Sequence, residues 1–241
     1  MPETHSHADE GSGRYSCSPR SLLRLQTWLS PTFPVGAYSY SHGIEWAVEA
    51  GDVDSRDSLI DWLDADLRYG SSRNEAIFFS QAYRHTVDDN PAALVEVAQL
   101  AAASRGTSEF ALESAQQAGA CLATLRKTWP DPALDFLSSM EISLTPAVVL
   151  GVRSATEEIP IDLALPAFLH SYIANLVSAG VRLIPLGQTD GQFAVSELEL
   201  SVLSLSAQAS DASLDEIGSA GFNVELASIR HETQYTRLFR S

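Results

Sequence analysis

TSEFALESAQQAGACLATLRK, residues 107–127, is the stretch that decides the fold class. It is dominated by Ala, Glu, Gln and Leu, the residues that lose least on entering a helix. On a 3.6-residue period Ala111, Ala115, Ala118, Gly119 and Leu122 fall on one face. Small residues at that spacing let another helix approach closely, which is a packing device without catalytic content.

The same signals recur on both sides. Upstream, Pro19 suits a first helical turn, and Leu22, Leu25 and Leu29 give one apolar face before Pro31 stops it. Asp54 or Ser55 can cap a helix carrying Leu59, Ile60, Leu63 and Leu67, with Gly70 at its C-terminal end. Asn90-Pro91 is a cap followed by a first-turn proline, leading into Leu94, Val97, Ala98 and Ala101. Downstream, Thr145-Pro146 opens a further helix. A long one follows Pro160 through Phe168, Leu169, Tyr172, Ile173, Leu176 and Val177, with Pro166 tolerable only near its start. Residues 185–188 break the chain, and Thr189 with Gln192 has capping-box spacing for a helix holding Leu198, Val202 and Leu205. No period-two run bounded by hairpin turns and no long-range repeat is present. The pattern predicts an all-α protein, a single globular bundle of roughly eight to ten helices over residues 19–241. Residues 1–18 are polar and Gly/Ser-rich and read as a disordered leader.

Composition narrows the function. The chain has 241 residues, 45% of them hydrophobic, and a formal net charge of −16. Such a surface repels phosphate backbones and no basic stripe offsets it, which argues against nucleic-acid binding. No apolar run approaches the roughly 18 residues that span a bilayer, and no signal peptide is visible, so a soluble cytoplasmic protein is expected. Cys17 and Cys121 lack disulfide or zinc spacing. Lys127, the only lysine, follows no glycine-rich loop, so any nucleotide hydrolysis must come from a partner.

Few residues offer chemistry. If helix resumes near Ser39 to Ser41, His42, Glu45 and Glu49 share a face, while Ile44, Ala47 and Val48 face the other way. An imidazole beside two carboxylates could do acid–base work or hold a metal, and is equally the pattern of a solvated helix face. His5 and His7 with Asp9 and Glu10 could catch a divalent ion. His231-Glu232 begins like a zinc-protease motif, but Tyr235 stands where the second histidine belongs. No nucleophile elbow is present, and no catalytic or metal residue is assigned.

The last thirteen residues, IRHETQYTRLFRS at 229–241, stand apart: three arginines and two aromatics end an acidic chain. Arg, Tyr and Phe dominate interface hot spots, so the segment reads as a tail made to be held. The alternative is that Leu238 and Phe239 close the protein's own core.

SPTFPVGAYSYSHGIE at 30–45 resembles the N-terminal signature of the UreF family of urease accessory proteins. VRLIPLGQTDGQ at 181–192 is similar to that family's central helix–turn–helix junction, and RHETQYTRLFRS at 230–241 to its C-terminal tail. The resemblance runs from about Ser21 to Ser241, and residues 59–158 match mainly in helical character. It implies a non-enzymatic, cofactor-free chaperone for nickel insertion into urease. Such a protein is expected to be a homodimer that binds UreD/UreH, recruits the GTPase UreG and serves the urease apoprotein. The family's partner-docking regions carry over to Arg230, His231, Glu232, Tyr235, Arg237, Leu238 and Phe239, with support from Tyr38, His42 and Glu45. Two rival readings are a regulator that inserts Arg153 or Arg182 into the GTPase, and a nickel carrier using His5/His7 or the His42/Glu45/Glu49 face. A stand-alone metal hydrolase is the remotest.

Overall fold

The computed structural model describes residues 17–241. His5, His7 and all but the last two residues of the expected leader lie outside the described residues. Of those two, Ser18 already works for the fold, its Oγ accepting the Ser21 N–H at 3.0 Å to cap the first helix.

The described residues form helices without strands. In order they are α1 (Pro19–Trp28), α2 (Ile44–Ala50), α3 (Arg56–Tyr69), α4 (Ser71–Val87), α5 (Pro91–Ala103) and α6 (Ser108–Thr128). Then come α7 (Pro132–Ser139), α8 (Pro146–Thr156), α9 (Ile161–Leu183), α10 (Gln188–Glu197), α11 (Glu199–Asp211) and α12 (Phe222–His231). The all-α reading holds, and the segmentation is finer than the pattern suggests. Only Gly70 separates α3 from α4, and only Leu198 separates α10 from α11. Ser55, Asn90 and Thr145 cap their helices as their sequence positions imply. The Thr189/Gln192 cap is corrected. Asp190 accepts the N–H of Gly187 at 3.1 Å, so α10 begins before Thr189.

The core gathers Leu59, Leu63 and Leu67 of α3, Phe78 and Phe79 of α4, Leu125 of α6 and Leu165 of α9. Packing is tightest between α4 and α8: a Cβ on Gly151 would stand 2.5 Å from the Phe79 carbonyl oxygen, so only glycine fits there. Through α6 the buried face runs along Phe110, Ser114, Ala118, Cys121 and Leu125, while Ala111 and Gly119 are exposed. The small-residue face anticipated from sequence is thus rotated. Burying Phe110 and Leu125 gains more than the close approach of alanines. Burial also pushes the Cys121 thiol up to about 12.

Helix α9 touches α2, α3, α4, α8, α10 and α11. It carries an 18-residue window with mean hydropathy 1.3, long and apolar enough by composition to cross a membrane. This corrects the expectation that no apolar run approaches the length of a bilayer span. Half of that window is buried inside the protein.

Candidate functional site

Five elements converge on the end of the chain: the 3₁₀ turn Ala37–Ser39, α2, the first two turns of α6, α12, and the C-terminal segment itself. Prolines 31 and 34 and the left-handed Gly36 (φ 75°) set the turn. His42 (φ 54°) and Gly43 (φ 82°) then reverse the backbone before α2 begins at Ile44. Gly43 also lies against α12, where an added Cβ would meet Ala227 Cβ and the Val224 carbonyl oxygen, both at 3.2 Å. The reversal corrects the proposed shared face. His42 precedes the helix, His42 and Glu45 are buried, and Glu49 is exposed.

Glu45 is the hub. Its Oε1 accepts the Leu238 N–H at 2.6 Å and its Oε2 the Phe239 N–H at 2.9 Å. The same Oε2 lies 3.0 Å from His231 Nε2. On the other side of the ring, His231 Nδ1 stands 2.9 Å from Glu109 Oε2. Arg237 donates to Glu109 Oε1 at 2.9 Å. A fully buried imidazole therefore sits between two carboxylates from two helices. Both contacts are hydrogen bonds only when each ring nitrogen bears hydrogen or one carboxylate is protonated. Burial raises Glu109 above the usual carboxylate range, with His231 and Arg237 pulling against that rise.

The final residues are held as firmly. Ser41 donates through its N–H and its hydroxyl to the Ser241 carbonyl oxygen, at 2.7 and 2.6 Å. The Arg240 N–H donates to the Ser39 carbonyl at 2.8 Å. The Ser241 hydroxyl donates to Glu113 Oε2 at 2.6 Å. That oxygen lies 3.5 Å from Nδ1 of His42, whose ring stacks on Phe110 with centroids 3.9 Å apart. Burial opposes a charged His42, but Glu113 and Asp66 outweigh it and hold its imidazole above the ordinary histidine value. Arg182 completes the closure. It donates to the Tyr38 carbonyl at 2.8 Å and its guanidinium lies 4.4 Å from the centre of the Phe239 ring.

The residues singled out from sequence thus divide. His231, Phe239, His42 and Glu45 are inside, and Arg237 is half-inside on Glu109. Tyr235 is fully exposed, Leu238 is 75% exposed, and Tyr38 turns its ring outward. Arg230 and Glu232 are also on the surface, Glu232 accepting from Ser108. Arg153 stands elsewhere and is 3% exposed, bound to Glu157 at 2.6 Å and Asp131 at 3.2 Å and stacked on Trp28. With its guanidinium so occupied, Arg153 cannot be inserted into a partner without dismantling that cluster. Sequence reasoning missed Glu109, Glu113, Ser41 and Ser241. Carboxylates spaced four apart in a helix signal nothing until the tail arrives over them. Among the described residues no group of three or more His, Cys, Asp or Glu side chains is placed to hold a metal ion.

The acids of this clasp are taken up by backbone amides, by His231, by Arg237 and by the Ser241 hydroxyl. A family model described as UreF matches residues 53–199. The chain is 49% identical over 222 residues to the urease accessory protein UreF of Rhodopseudomonas palustris (strain TIE-1), covering 92% of each chain. The chain belongs to the UreF family. It is also 46% identical over all 241 residues to the UreF of R. palustris strain BisB5, covering 98% of that protein. With the UreF of Bradyrhizobium diazoefficiens it shares 47% over 222 residues, 92% of each. These full-length matches extend to segments outside residues 53–199, including part or all of the clasp.

Proposed function

We propose that this chain is a non-catalytic scaffold in urease maturation, a cytoplasmic homodimer that binds UreD/UreH and recruits the GTPase UreG so that nickel reaches the urease apoprotein. One observation supports the docking surface. The clasp fixes the backbone of the C-terminal segment and leaves its other side, Tyr235 and Leu238 with Arg230 and Arg240, facing solvent. Beside it, α12 exposes Phe222, Leu226 and Ile229, which share one helix face. Aromatic and aliphatic anchors with guanidinium groups, preordered by buried contacts, are what a tight interface needs, because little entropy is left to lose on binding. His42, Glu45, His231 and Phe239 are then positioning residues, which act by holding the tail.

The test is light scattering after size-exclusion chromatography with UreD/UreH. Deletion from Arg230 onward would strip partners from Glu45, Glu109 and Glu113, so point variants are the sharper tool. Tyr235→Ala and Leu238→Asp should abolish the larger complex and leave the circular dichroism spectrum unchanged. Undiminished complex formation by the pair would overturn the reading.

A further inference from the structure

We infer that the clasp is a proton-operated latch: one proton lodged in the row Glu45–His231–Glu109 holds the C-terminal segment against the body, and its loss frees the segment and disperses the docking surface. The latch is a property of this chain alone, and its effect on partners rests on the scaffold role proposed above.

A count of hydrogens leads to it. The two ring nitrogens of His231 lie 3.0 Å from Glu45 Oε2 and 2.9 Å from Glu109 Oε2. A neutral imidazole has a single N–H, and an ionised carboxylate has no hydrogen at all. Both contacts therefore close only with one proton more than a neutral ring and two carboxylates provide. Without it a bare nitrogen faces a carboxylate oxygen at hydrogen-bond distance, in a ring that has no exposed surface.

The surroundings draw that proton in. His231 is the last residue of α12, and a helix C-terminus favours positive charge. Around the ring stand Glu45 on α2, Glu109 and, one turn on, Glu113 on α6, with Glu232 and Arg237 of the C-terminal segment and Arg182 of α9. Four acids against two guanidiniums leave negative charge in excess.

Release follows because the same two carboxylates grip the segment. Glu45 accepts the Leu238 and Phe239 amides, and Glu109 accepts from Arg237. A row driven apart by like charge loosens these three neighbours together. Tyr235 and Leu238 then lose their fixed backbone, and a partner must order the segment before it can bind.

Amide hydrogen exchange on the full chain, expressed against the intrinsic rate at each pH, tests this. Protection at Leu238 and Phe239 should fall about tenfold or more between about pH 6 and pH 8.5, and by more than at Phe78 and Leu165 in the core. Glu109→Gln should cancel the fall, because its carboxamide donates to Nδ1 while its oxygen still accepts from Arg237, and no extra proton is needed. His42→Asn removes the neighbouring imidazole at a left-handed position that asparagine tolerates, and should leave the fall in place. Nitrogen NMR of the His231 ring should show one N–H lost at the same midpoint as the amide protection. UreD/UreH affinity should weaken over the same range in the wild type and stay level in Glu109→Gln.

Constant protection in the wild type, a fall that persists in Glu109→Gln, or one that vanishes in His42→Asn overturns the latch. If the variants do not fold, the wild-type ring decides, since a midpoint apart from that of the amides overturns it too. A latch that opens without weakening UreD/UreH binding overturns its regulatory role. Failure of the scaffold reading appears separately, as undiminished UreD/UreH binding by Tyr235→Ala and Leu238→Asp with the exchange pattern as expected.

Discussion

Leu238 and Phe239 are neighbours in sequence, yet one is 75% exposed and the other 5%. The backbone amides of both end on the same carboxylate, Glu45. Backbone fixation and side-chain direction are therefore separate properties of this segment. Its inner side (His231, Phe239, Ser241) completes the fold, and its outer side (Tyr235, Leu238) adds nothing to the core. The question of whether the tail closes the protein or offers itself to a partner has a divided answer along the chain. The inner residues alone depend on burial, and only the outer ones are free to bind.

The comparison breaks most visibly at its hub. Glu45→Ala would leave the Leu238 and Phe239 amides without their acceptor and Nε2 of the buried His231 ring without its partner. Removing one partner from a buried charged network costs about 3–5 kcal/mol. A fall of that size in urea-unfolding free energy is expected, with Phe239→Ala close behind at roughly 3 kcal/mol from the lost ring and its cavity. A loss below about 0.5 kcal/mol for Glu45→Ala, the level of an ordinary surface change, would mean that the tail is not docked in solution.

The outer side should answer in the opposite way. Tyr235→Ala is expected to change unfolding free energy by less than about 0.5 kcal/mol. The same change should cost about 2 kcal/mol or more in partner affinity, roughly 30-fold, as aromatic anchors do. Calorimetric titration with UreD/UreH measures the second quantity and urea unfolding the first. Equal losses in both would erase the distinction between the two sides.

A pH series sharpens the inner side. The folded protein holds His42 above its ordinary value, so it binds that proton more tightly than the unfolded chain does. The stability from this group is full below about pH 6.5 and is lost as pH rises through the folded value. Glu109, also raised, acts in the same direction from the carboxylate range upward. Unfolding free energy should fall as pH rises between pH 6 and pH 8. Glu113→Gln removes the main group that raises His42 and should flatten the profile. A stability that climbs over this interval would show that Glu113 does not govern the His42 proton.

Much of this was legible in the sequence, and the exceptions share a cause. Helix class followed from local rules, since caps such as Ser55, Asn90 and Thr145 need only their own neighbours. The tail was conspicuous by composition. What could not be read was pairing at long range. Glu45 meets residues 186 to 194 positions away, and Ser41 meets Ser241 across 200. The local face drawn through His42, Glu45 and Glu49 failed because a reversed backbone at His42 and Gly43 interrupts the helical period. Helix α6 failed in a related way, since periodicity gives a face but not which way it points once Phe110 and Leu125 compete for the core.

That rotation of α6 yields the smallest test. Its inner side carries Glu109 and Glu113, the anchors of the tail, and its outer side carries Leu112, Gln116 and Gly119. An added Cβ at Gly119 meets nothing within 4 Å, and the residue lies in mid-helix. Alanine there should raise unfolding free energy by about 0.5–1 kcal/mol, by restricting the unfolded chain and favouring the helix. Had the small-residue face pointed inward, as composition suggested, the methyl group would collide with a packed helix and lower it. The sign of one glycine substitution therefore reports which side of α6 faces the core, and with it whether Glu109 and Glu113 lie where the tail can reach them.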